Sequence, residues 1–429
     1  MQKKSLLFAL MAVFVLSACN KDDDDPTPSE SANFTVTVEN ILPVTNYSSS
    51  GSIGFLAPGE QESVEFHAGD GDYLSFATMF VQSNDLFYGF EDRGLRLHDE
   101  NGNPIVGDVT SAVDLWDAGT EVNQEPGVGA DQAPRQAGPN TGATENGVVR
   151  LVSELGDGFV YPADEQVIRL TLKHDGGTLF TFTIENISAG SSLPSPLAPG
   201  GWAIHKSGIR LFTDGEASSA GLEAVAEDGN NEEFINDLTA WTGYTSPYAP
   251  GVWAVHDANN TPIFVDGMAD AGEGLEELAE DGDPSILAAS LSNGTKASQS
   301  GVFNTPDGAS GPGPILPGGS YSFTFKASEG DYFNLATMLV ETNDLFLAFD
   351  EGGIALFNNG IALNGDITNL IELWDSGTEV NEYPGAGKYQ PIRGGGNSGP
   401  AEGGPVVIVN DGFTYPAVNE LIKITIEAN

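Results

Sequence analysis

Two acidic loops, one in each half of the chain, carry the residue types best suited to chemistry. Residues 116–121 read WDAGTE and residues 374–379 read WDSGTE, so each loop has two carboxylates four positions apart around a glycine. Calcium takes about six to eight oxygen ligands, several of them carboxylates and backbone carbonyls. A glycine turn exposes such carbonyls, and an aspartate from another loop could complete the set. The loops therefore predict calcium sites, although their spacing is not that of an EF-hand.

A further acidic position follows an apolar run in each half of the chain. The first run ends in Asn84-Asp85 and the second in Asn343-Asp344. Asp and Asn at loop tips often bind their own backbone and so form turns. The acidic loops therefore have two interpretations, as metal ligands or as turn residues.

Other repeated residues have both a chemical and a structural interpretation. His205 and His256 occupy equivalent positions and could form a paired metal site, or each could pack beneath the turn that follows it. Trp116 and Trp374 stand beside the acidic loops, and they could stack on sugar rings or anchor the core. We favour the structural interpretation for both kinds of residue.

Self-similarity shows how the chain is organised. Residues 71–87 (GDYLSFATMFVQSNDLF) return as residues 330–346 (GDYFNLATMLVETNDLF), and DGFVYP at 157–162 returns as DGFTYP at 411–416. Such repetition at a long interval indicates two copies of one domain. We place the copies at residues 33–175 and 176–429, each with its own opening strand, residues 34–41 and 180–187.

A shorter repeat lies inside the second copy. APGGWAIH at 198–205 is echoed by APGVWAVH at 249–256, and each is followed by a helix-like run, 221–229 or 274–282, that ends in glycine. These helix modules span residues 196–238 and 247–291, and the first copy lacks one of its own. Either one module completes the first core across the boundary, or the first core has none. Packing of Leu222 and Leu275 on the same core would contradict the sharing hypothesis.

The remaining pattern predicts strands. Runs of four to nine residues rich in β-formers are separated by Gly, Pro, Asn and Asp. This is typical of antiparallel sandwiches. The predicted fold class is all-β, with two antiparallel β-sandwich domains and short helices confined to the helix modules.

The motifs together resemble a known family. Ser/Thr-Asn-Asp followed by Trp-Asp-Ala/Ser-Gly-Thr-Glu is similar to the spondin N-terminal domain of F-spondin and mindin, and the helix module fits that family's run as well. The resemblance covers most of residues 34–429. It implies C2-like sandwiches that bind calcium in loops at one end and act in adhesion, not as enzymes.

The resemblance also implies a ligand set. Carried over position by position, the candidate calcium ligands are Asp85, Asp117, Glu121, Asp344, Asp375 and Glu379. The family often has Asp where this chain has Glu121 and Glu379, and Glu reaches one carbon further. The missing helix module makes the first copy's site less secure than the second.

Composition excludes several function classes. The 429 residues include 62 Asp plus Glu against 16 Lys plus Arg, which gives a net charge of −46. Such a surface repels phosphate backbones and anionic lipids, whereas it favours cations and basic partners. The single cysteine excludes an internal disulfide and a cysteine-based zinc or iron–sulfur site.

That cysteine lies at the end of a predicted signal peptide, residues 1–18. Lys3 and Lys4 precede an apolar run, residues 6–16, that is too short to span a bilayer. The following LSAC resembles the lipobox of bacterial lipoproteins, which implies lipidation at Cys19, with ordinary secretory cleavage as the alternative. Residues 19–32 read as an acidic flexible tether. Their aspartate run is similar to the surface-export signal of Bacteroidetes-type lipoproteins or is a plain spacer.

These observations predict an outer-membrane lipoprotein of the cell envelope, exposed at the surface and held by its N-terminal lipid. We expect calcium as its cofactor and a binding or adhesion role toward a surface protein or glycan, without nucleic acid and without enzymatic activity. One alternative is a carbohydrate-active hydrolase with paired carboxylates. Another is a structural surface protein without metal, whose acidity keeps it soluble.

Overall fold

The chain folds mainly into antiparallel β-sheets. The computed structural model describes residues 31–394 and 399–429, and within them it confirms the predicted all-β class with sandwich-like domains. The predicted signal peptide, Cys19 and residues 19–30 of the tether lie outside the described residues, whereas Ser31 and Ala32 already belong to a strand. In the part described, no helix has the length and apolar character needed to cross a membrane.

The strands and helices have the following bounds. The strands of the first half are β1 Ser31–Asn40, β2 Tyr47–Ile53, β3 Gln61–His67, β4 Asp72–Met79, β5 Leu86–Phe90, β6 Leu95–Arg96, β7 Gly107–Asp108, β8 Val113–Asp117, β9 Arg150–Leu151, β10 Ile168–Gly176, β11 Leu179–Asn186 and β12 Gly200–Lys206. Those of the second half are β13 Gly251–Asp257, β14 Gln299–Phe303, β15 Ser320–Ser328, β16 Asp331–Met338, β17 Leu345–Ala348, β18 Ile354–Ala355, β19 Phe357–Asn358, β20 Ile361–Ala362, β21 Gly365–Asp366, β22 Glu372–Asp375, β23 Val407–Ile408 and β24 Ile422–Ala428. The helices are α1 Ala220–Asp228, α2 Glu232–Ala240, α3 Leu275–Asp281, α4 Ser285–Asn293, α5 Pro391–Gly394 and α6 Val418–Leu421.

Each domain is a sandwich of two sheets with matching strand orders. In the first domain, β3-β11-β10-β7 faces β2-β12-β4-β5-β8-β9 across a core that includes Phe66, Phe76 and Phe182. In the second, β15-β1-β24-β21 faces β14-β13-β16-β17-β22-β23 across a core that includes Phe34 and Phe333. Every pairing between these strands is antiparallel, as the sequence predicts.

The strand pairing divides the chain differently from the boundaries 33–175 and 176–429. Strand β1, expected to open the first domain, lies between β15 and β24 of the second. Strand β11, expected to open the second domain, pairs with β10 and β3 of the first. The cause is local, because Gly176 and Gly177 both have positive φ and form a tight turn that folds β11 back onto β10. In the second domain, β1 takes the place beside β24 that β11 takes beside β10.

The two helix modules are divided between the domains. Leu222, Val225 and Phe234 of the first module pack on the first domain around Trp116, whereas Leu275 of the second module packs on the second domain. Strand β12 of the first module also pairs with β2 and β4. The first domain therefore has a module, residues 196–238, that lies beyond its expected boundary at 175.

The modules explain why two strands read as continuous apolar runs. Strands β4 and β16 face the sandwich core on one side and helices on the other, so residues on both faces are buried. Helix α1 is capped at its N-terminus by Ser219, whose hydroxyl accepts a hydrogen bond from the Leu222 N–H, and at its C-terminus by Gly229 with φ 64°. Gly282 caps the C-terminus of α3 with φ 65°, so both predicted glycine C-caps are confirmed.

Helix is not confined to the modules. Two single turns, α5 and α6, lie in the last part of the second domain. Helix α5 begins at Pro391, whose fixed φ suits a first helical turn. Helix α6 begins two residues after Pro416, and the Glu420 carboxylate accepts a hydrogen bond from the Ala417 N–H.

Candidate metal centre

The acidic residues of each domain lie together at one end of a pair of neighbouring strands, β5 and β8 in the first domain and β17 and β22 in the second. Strand β5 starts at Leu86, directly after Asp85, and pairs with β8, which ends at Asp117. The Ala118 N–H donates to the Asp85 carbonyl at 3.0 Å, so the two loops are joined through the backbone. In the second domain, Leu345 pairs with Asp375 in the same way.

The glycine of each loop is required by its conformation. Gly119 and Gly377 have φ of 71° and 68°, in the left-handed region that residues other than glycine seldom adopt. A Cβ on Gly119 would also lie 2.5 Å from the Val148 carbonyl oxygen. The turn brings the Gly119 N–H to within 2.6 Å of one Asp117 carboxylate oxygen, and Gly377 does the same to Asp375 at 2.7 Å.

The first aspartate is buried with one oxygen satisfied and one unpaired. Asp85 Oδ2 accepts hydrogen bonds from the Thr120 N–H at 2.7 Å and the Glu121 N–H at 3.0 Å. Its Oδ1 is buried and has no hydrogen-bond partner among the described residues. Asp344 repeats this arrangement: Oδ2 accepts from the Thr378 and Glu379 N–H groups, and Oδ1 is buried without a partner.

The two aspartates of each domain lie close enough to affect each other's ionisation. Burial, with the charge of Asp117 second, raises the pKa of Asp85 to about 8. Burial, with the charge of Asp344 second, raises the pKa of Asp375 to about 7. Burial likewise raises the pKa of Asp117 and of Asp344. Each pair therefore holds a proton near neutral pH unless another cation takes its place.

The glutamate side chains do not join the aspartate pair. The Glu121 carboxylate accepts hydrogen bonds from the Gly142 N–H at 2.6 Å and from the Asn84 amide at 3.3 Å. Glu379 is held in the same way by the Gly399 N–H and, at 2.9 Å, by the Asn343 amide. Of the six candidate ligands, the structure brings together Asp85 with Asp117 and Asp344 with Asp375. Glu121 and Glu379 contact the first aspartate of each pair through their backbone N–H groups.

The first domain has an arginine beside its aspartate pair that would compete with a metal ion, and the second domain has a valine in its place. Asp117 Oδ2 lies 3.4 Å from Arg150 Nη2 and 2.9 Å from the Asn123 amide nitrogen. In the second domain, Val407 takes the place of Arg150 beside Asp375. Among the described residues, Asp375 Oδ2 accepts a hydrogen bond only from the Asn381 amide, at 2.7 Å. The second pair is therefore less neutralised by the protein.

Two further carboxylates, not singled out from the sequence, lie beside these loops. Glu227 of α1 and Glu280 of α3 are almost fully buried, and they contact the Thr120 and Thr378 hydroxyls. Burial raises the pKa of both to about 7, and the negative charge of Glu121 or Glu379 adds to the effect. The sequence feature that could have identified these two glutamates is the repeated Ala-Glu-Asp-Gly at the end of both module helices.

The other repeated residues are structural. His205 and His256 are buried in equivalent strands of different domains, and each holds a backbone carbonyl at 3.0 Å through Nδ1. Trp116 and Trp374 are buried core residues. Across residues 31–394 and 399–429, no three His, Cys, Asp or Glu side chains are arranged to hold a metal ion.

Comparison with known proteins assigns no family. No protein-family model matches the chain, and no curated protein matches it either.

Proposed function

We propose that this protein is a calcium-stabilised surface-binding protein with two spondin-like domains. One observation carries the proposal: Asp85 and Asp344, at equivalent places in two domains, each bury a carboxylate oxygen without a hydrogen-bond partner in the described chain. Both copies of the domain retain this unpaired acceptor beside a second aspartate, which is an arrangement that a cation would neutralise. The resemblance to the spondin family supplies calcium as the cation to test first.

A divalent cation fits the chemistry of these donors. Burying an unpaired carboxylate costs several kcal/mol, roughly, and a second carboxylate nearby adds repulsion. Calcium accepts carboxylate and carbonyl oxygens in flexible geometry and keeps water as further ligands. Asp85 with Asp117, and Asp344 with Asp375, would hold it. Glu121 and Glu379 would reach it only by giving up their present hydrogen bonds.

The ion would act on the loops. Bound calcium would neutralise the aspartate pair and fix the loops that meet a partner, while stabilising the folded chain by mass action. On this account the acidic N-terminal tether and lipidated Cys19 hold the domains at the outer face of the cell envelope. The partner is then a surface protein or a glycan, and the protein is not an enzyme.

Burial weighs against the hydrolase alternative. A glycosidase needs its two carboxyl groups on either side of the scissile bond. Asp85 and Asp117 are both fully buried, and Asp344 is as well, so a sugar cannot reach them. The purely structural alternative, without metal, requires a proton on each aspartate pair instead of a cation.

Thermal melts test the proposal. The full chain is unfolded in chelator and in millimolar calcium, beside the double variant Asp85→Asn/Asp344→Asn and the control Asp214→Asn, an exposed aspartate of the first domain. We expect calcium to raise the Tm of the parent and of the control by several degrees and to leave the double variant unchanged, since saturating ligand adds about 3–4 kcal/mol. An equal shift in all three would refute these sites.

A further inference from the structure

A cavity of about 330 Å³ lies where the two domains meet. Strands β2, β3 and β12 of the first domain line one side, and residues 383–386 with Glu341 of the second domain line the other. Ligand pockets are found preferentially between domains and have volumes of about 300–1,000 Å³. This cavity is at the small end of that range, so it has room for one small ring with its substituents.

Aromatic rings from both domains form the walls. His67 of the first domain stacks on Tyr383 of the second, with ring centroids 3.6 Å apart and planes 8° from parallel. Tyr47, Phe66 and Tyr244 also line the space. The stacked His67 and Tyr383 rings close one wall, so a ligand ring that carries C–H groups would pack against the other aromatic side chains.

Two of the three charged groups in the walls are already paired. Lys206 Nζ lies 2.8 Å from Asp72 Oδ1, and Glu341 Oε2 lies 3.3 Å from Arg393 Nη1. Glu65 is exposed to solvent at the mouth. An anionic ligand would lose its hydration here without meeting a free positive charge among the described lining residues, and the solvent-exposed Glu65 offers a cation only weak attraction, so burying either is costly. The cavity therefore favours a neutral occupant.

Neutral hydrogen-bonding groups fill the rest of the lining. Burial lowers the pKa of His67, so its ring is neutral at pH 7. His67 Nδ1 lies 2.8 Å from the Thr178 hydroxyl, which leaves Nε2 for a ligand, whereas His205 is buried with both ring nitrogens engaged by Lys206 and Ser75. The hydroxyl-bearing residues are Thr45, Ser48, Ser49, Thr245 and Thr414. Such a lining matches a ligand with many hydroxyl groups.

We propose that this cavity binds a neutral saccharide ring, held against aromatic side chains and by hydroxyl groups and the His67 imidazole. The ring's C–H face would lie on the tyrosines, and its hydroxyls would meet the serine, threonine and histidine side chains. The inference deepens the proposed function by giving its surface-binding role a ligand class. It rests on that role and does not require calcium.

The way in which the two copies differ supports the inference. Tyr383 stands where the first copy has Glu125, and Glu341 stands where it has Gln82. The neighbouring contacts are otherwise retained, because Arg135 Nη1 reaches Gln82 Oε1 at 3.0 Å as Arg393 Nη1 reaches Glu341 Oε2. The side chains that close the cavity are therefore particular to the second copy, whose loop faces the first domain.

Saccharide titration of the full chain tests the proposal. Glucose, galactose and N-acetylglucosamine serve as neutral probes, and glucuronate and glucosamine as charged ones, with binding followed by saturation-transfer NMR and calorimetry. Thr414→Trp places a bulky ring at the exposed edge of the cavity. Val160→Trp is the matched control, because Val160 occupies the equivalent position of the first copy and is 86% exposed.

We expect at least one neutral saccharide to bind one-to-one, with affinity lowered about tenfold or more in Thr414→Trp because the ring is displaced sterically, and unchanged in Val160→Trp. Failure of all three neutral probes, equal binding of charged probes, or equal effects of both tryptophans would overturn the inference. Calcium-dependent melting of the same samples separates the two proposals. An intact calcium shift without saccharide binding contradicts only the saccharide site, and the reverse contradicts only the calcium sites.

Discussion

At the scale of single residues, the buried aspartates are the most unusual feature of the molecule. Asp85 and Asp344 each receive several hydrogen bonds on one carboxylate oxygen and none on the other within the described chain. Each has a second aspartate beside it. A proton relieves the repulsion at low pH, and on our proposal calcium replaces that proton under working conditions.

This arrangement predicts how stability depends on pH in chelator. The pKa of Asp85 is raised to about 8 and that of Asp375 to about 7, both from an ordinary value of 3.8. The folded chain therefore binds more protons than the unfolded chain between these values. The contribution to stability is complete below about pH 4 and is lost as the pH rises through about 7 to 8.

Chemical denaturation at pH 5.5 and pH 8.5 measures this loss. We expect the free energy of unfolding in chelator to fall by on the order of a few kcal/mol between the two, and calcium to reverse much of the fall at pH 8.5. The general acidity of the chain also destabilises it at high pH, so Asp85→Asn/Asp375→Asn is the control. A pH dependence as steep in that variant as in the parent would contradict the assignment.

At the scale of elements, the helix modules act as parts of the sandwiches. Leu222 of α1 is 1% exposed within the first domain's cluster, and Leu275 of α3 is 1% exposed within the second domain's. These short helices are stable only through such packing. Each also carries a buried glutamate, Glu227 or Glu280, to the edge of the acidic loops.

Alanine at these two leucines should affect different domains. We expect Leu222→Ala and Leu275→Ala each to cost about 2–5 kcal/mol by leaving a cavity. Hydrogen exchange should show lost protection in β4 and β5 for Leu222→Ala, and in β16 and β17 for Leu275→Ala. Loss of protection in both domains from either change, or in the opposite domain, would contradict the division of the modules.

Much of this organisation was predictable from the sequence, for physical reasons. The repeats, the all-β class and the glycine C-caps follow from local patterns, and Gly229 and Gly282 are where the chain requires a left-handed residue. The partners of β1 and β11 were not predictable, because both are alternating strands that fit beside any matching neighbour. The hydrogen bond from the Gly142 N–H to the Glu121 carboxylate was also not predictable, since it depends on the path of a separate loop.

At the scale of the whole molecule, the chain ties its two domains together through its first described strand. Strand β1 lies between β15 and β24, with Phe34 stacked on Phe325 at 5.6 Å. The second domain is thus built from both ends of the described chain, with the first domain folded between them. At the junction, Arg393 of the second domain lies near Asp72 of the first, 3.8 Å apart.

Damage to β1 should therefore be felt far away in sequence. We expect Phe34→Ala to cost about 3–5 kcal/mol and to lower hydrogen-exchange protection in β15 and β24. Strands β10 and β11 should keep their protection, because they pair within the first domain. The matched change in the first domain is Phe180→Ala, which should have the converse effect. Loss of protection in β10 and β11 from Phe34→Ala would contradict the observed pairing.

The measurement that tests the central claim most directly is a calorimetric calcium titration of the full chain. We predict about two calcium ions per chain, one for each aspartate pair, with tighter binding at Asp344 and Asp375 because Val407 replaces Arg150 there. Arg150→Val should tighten the weaker site, and Asp85→Asn and Asp344→Asn should each remove one ion. No saturable binding, or binding indifferent to both asparagines, would contradict the account, and the acidic loops would then be turns alone.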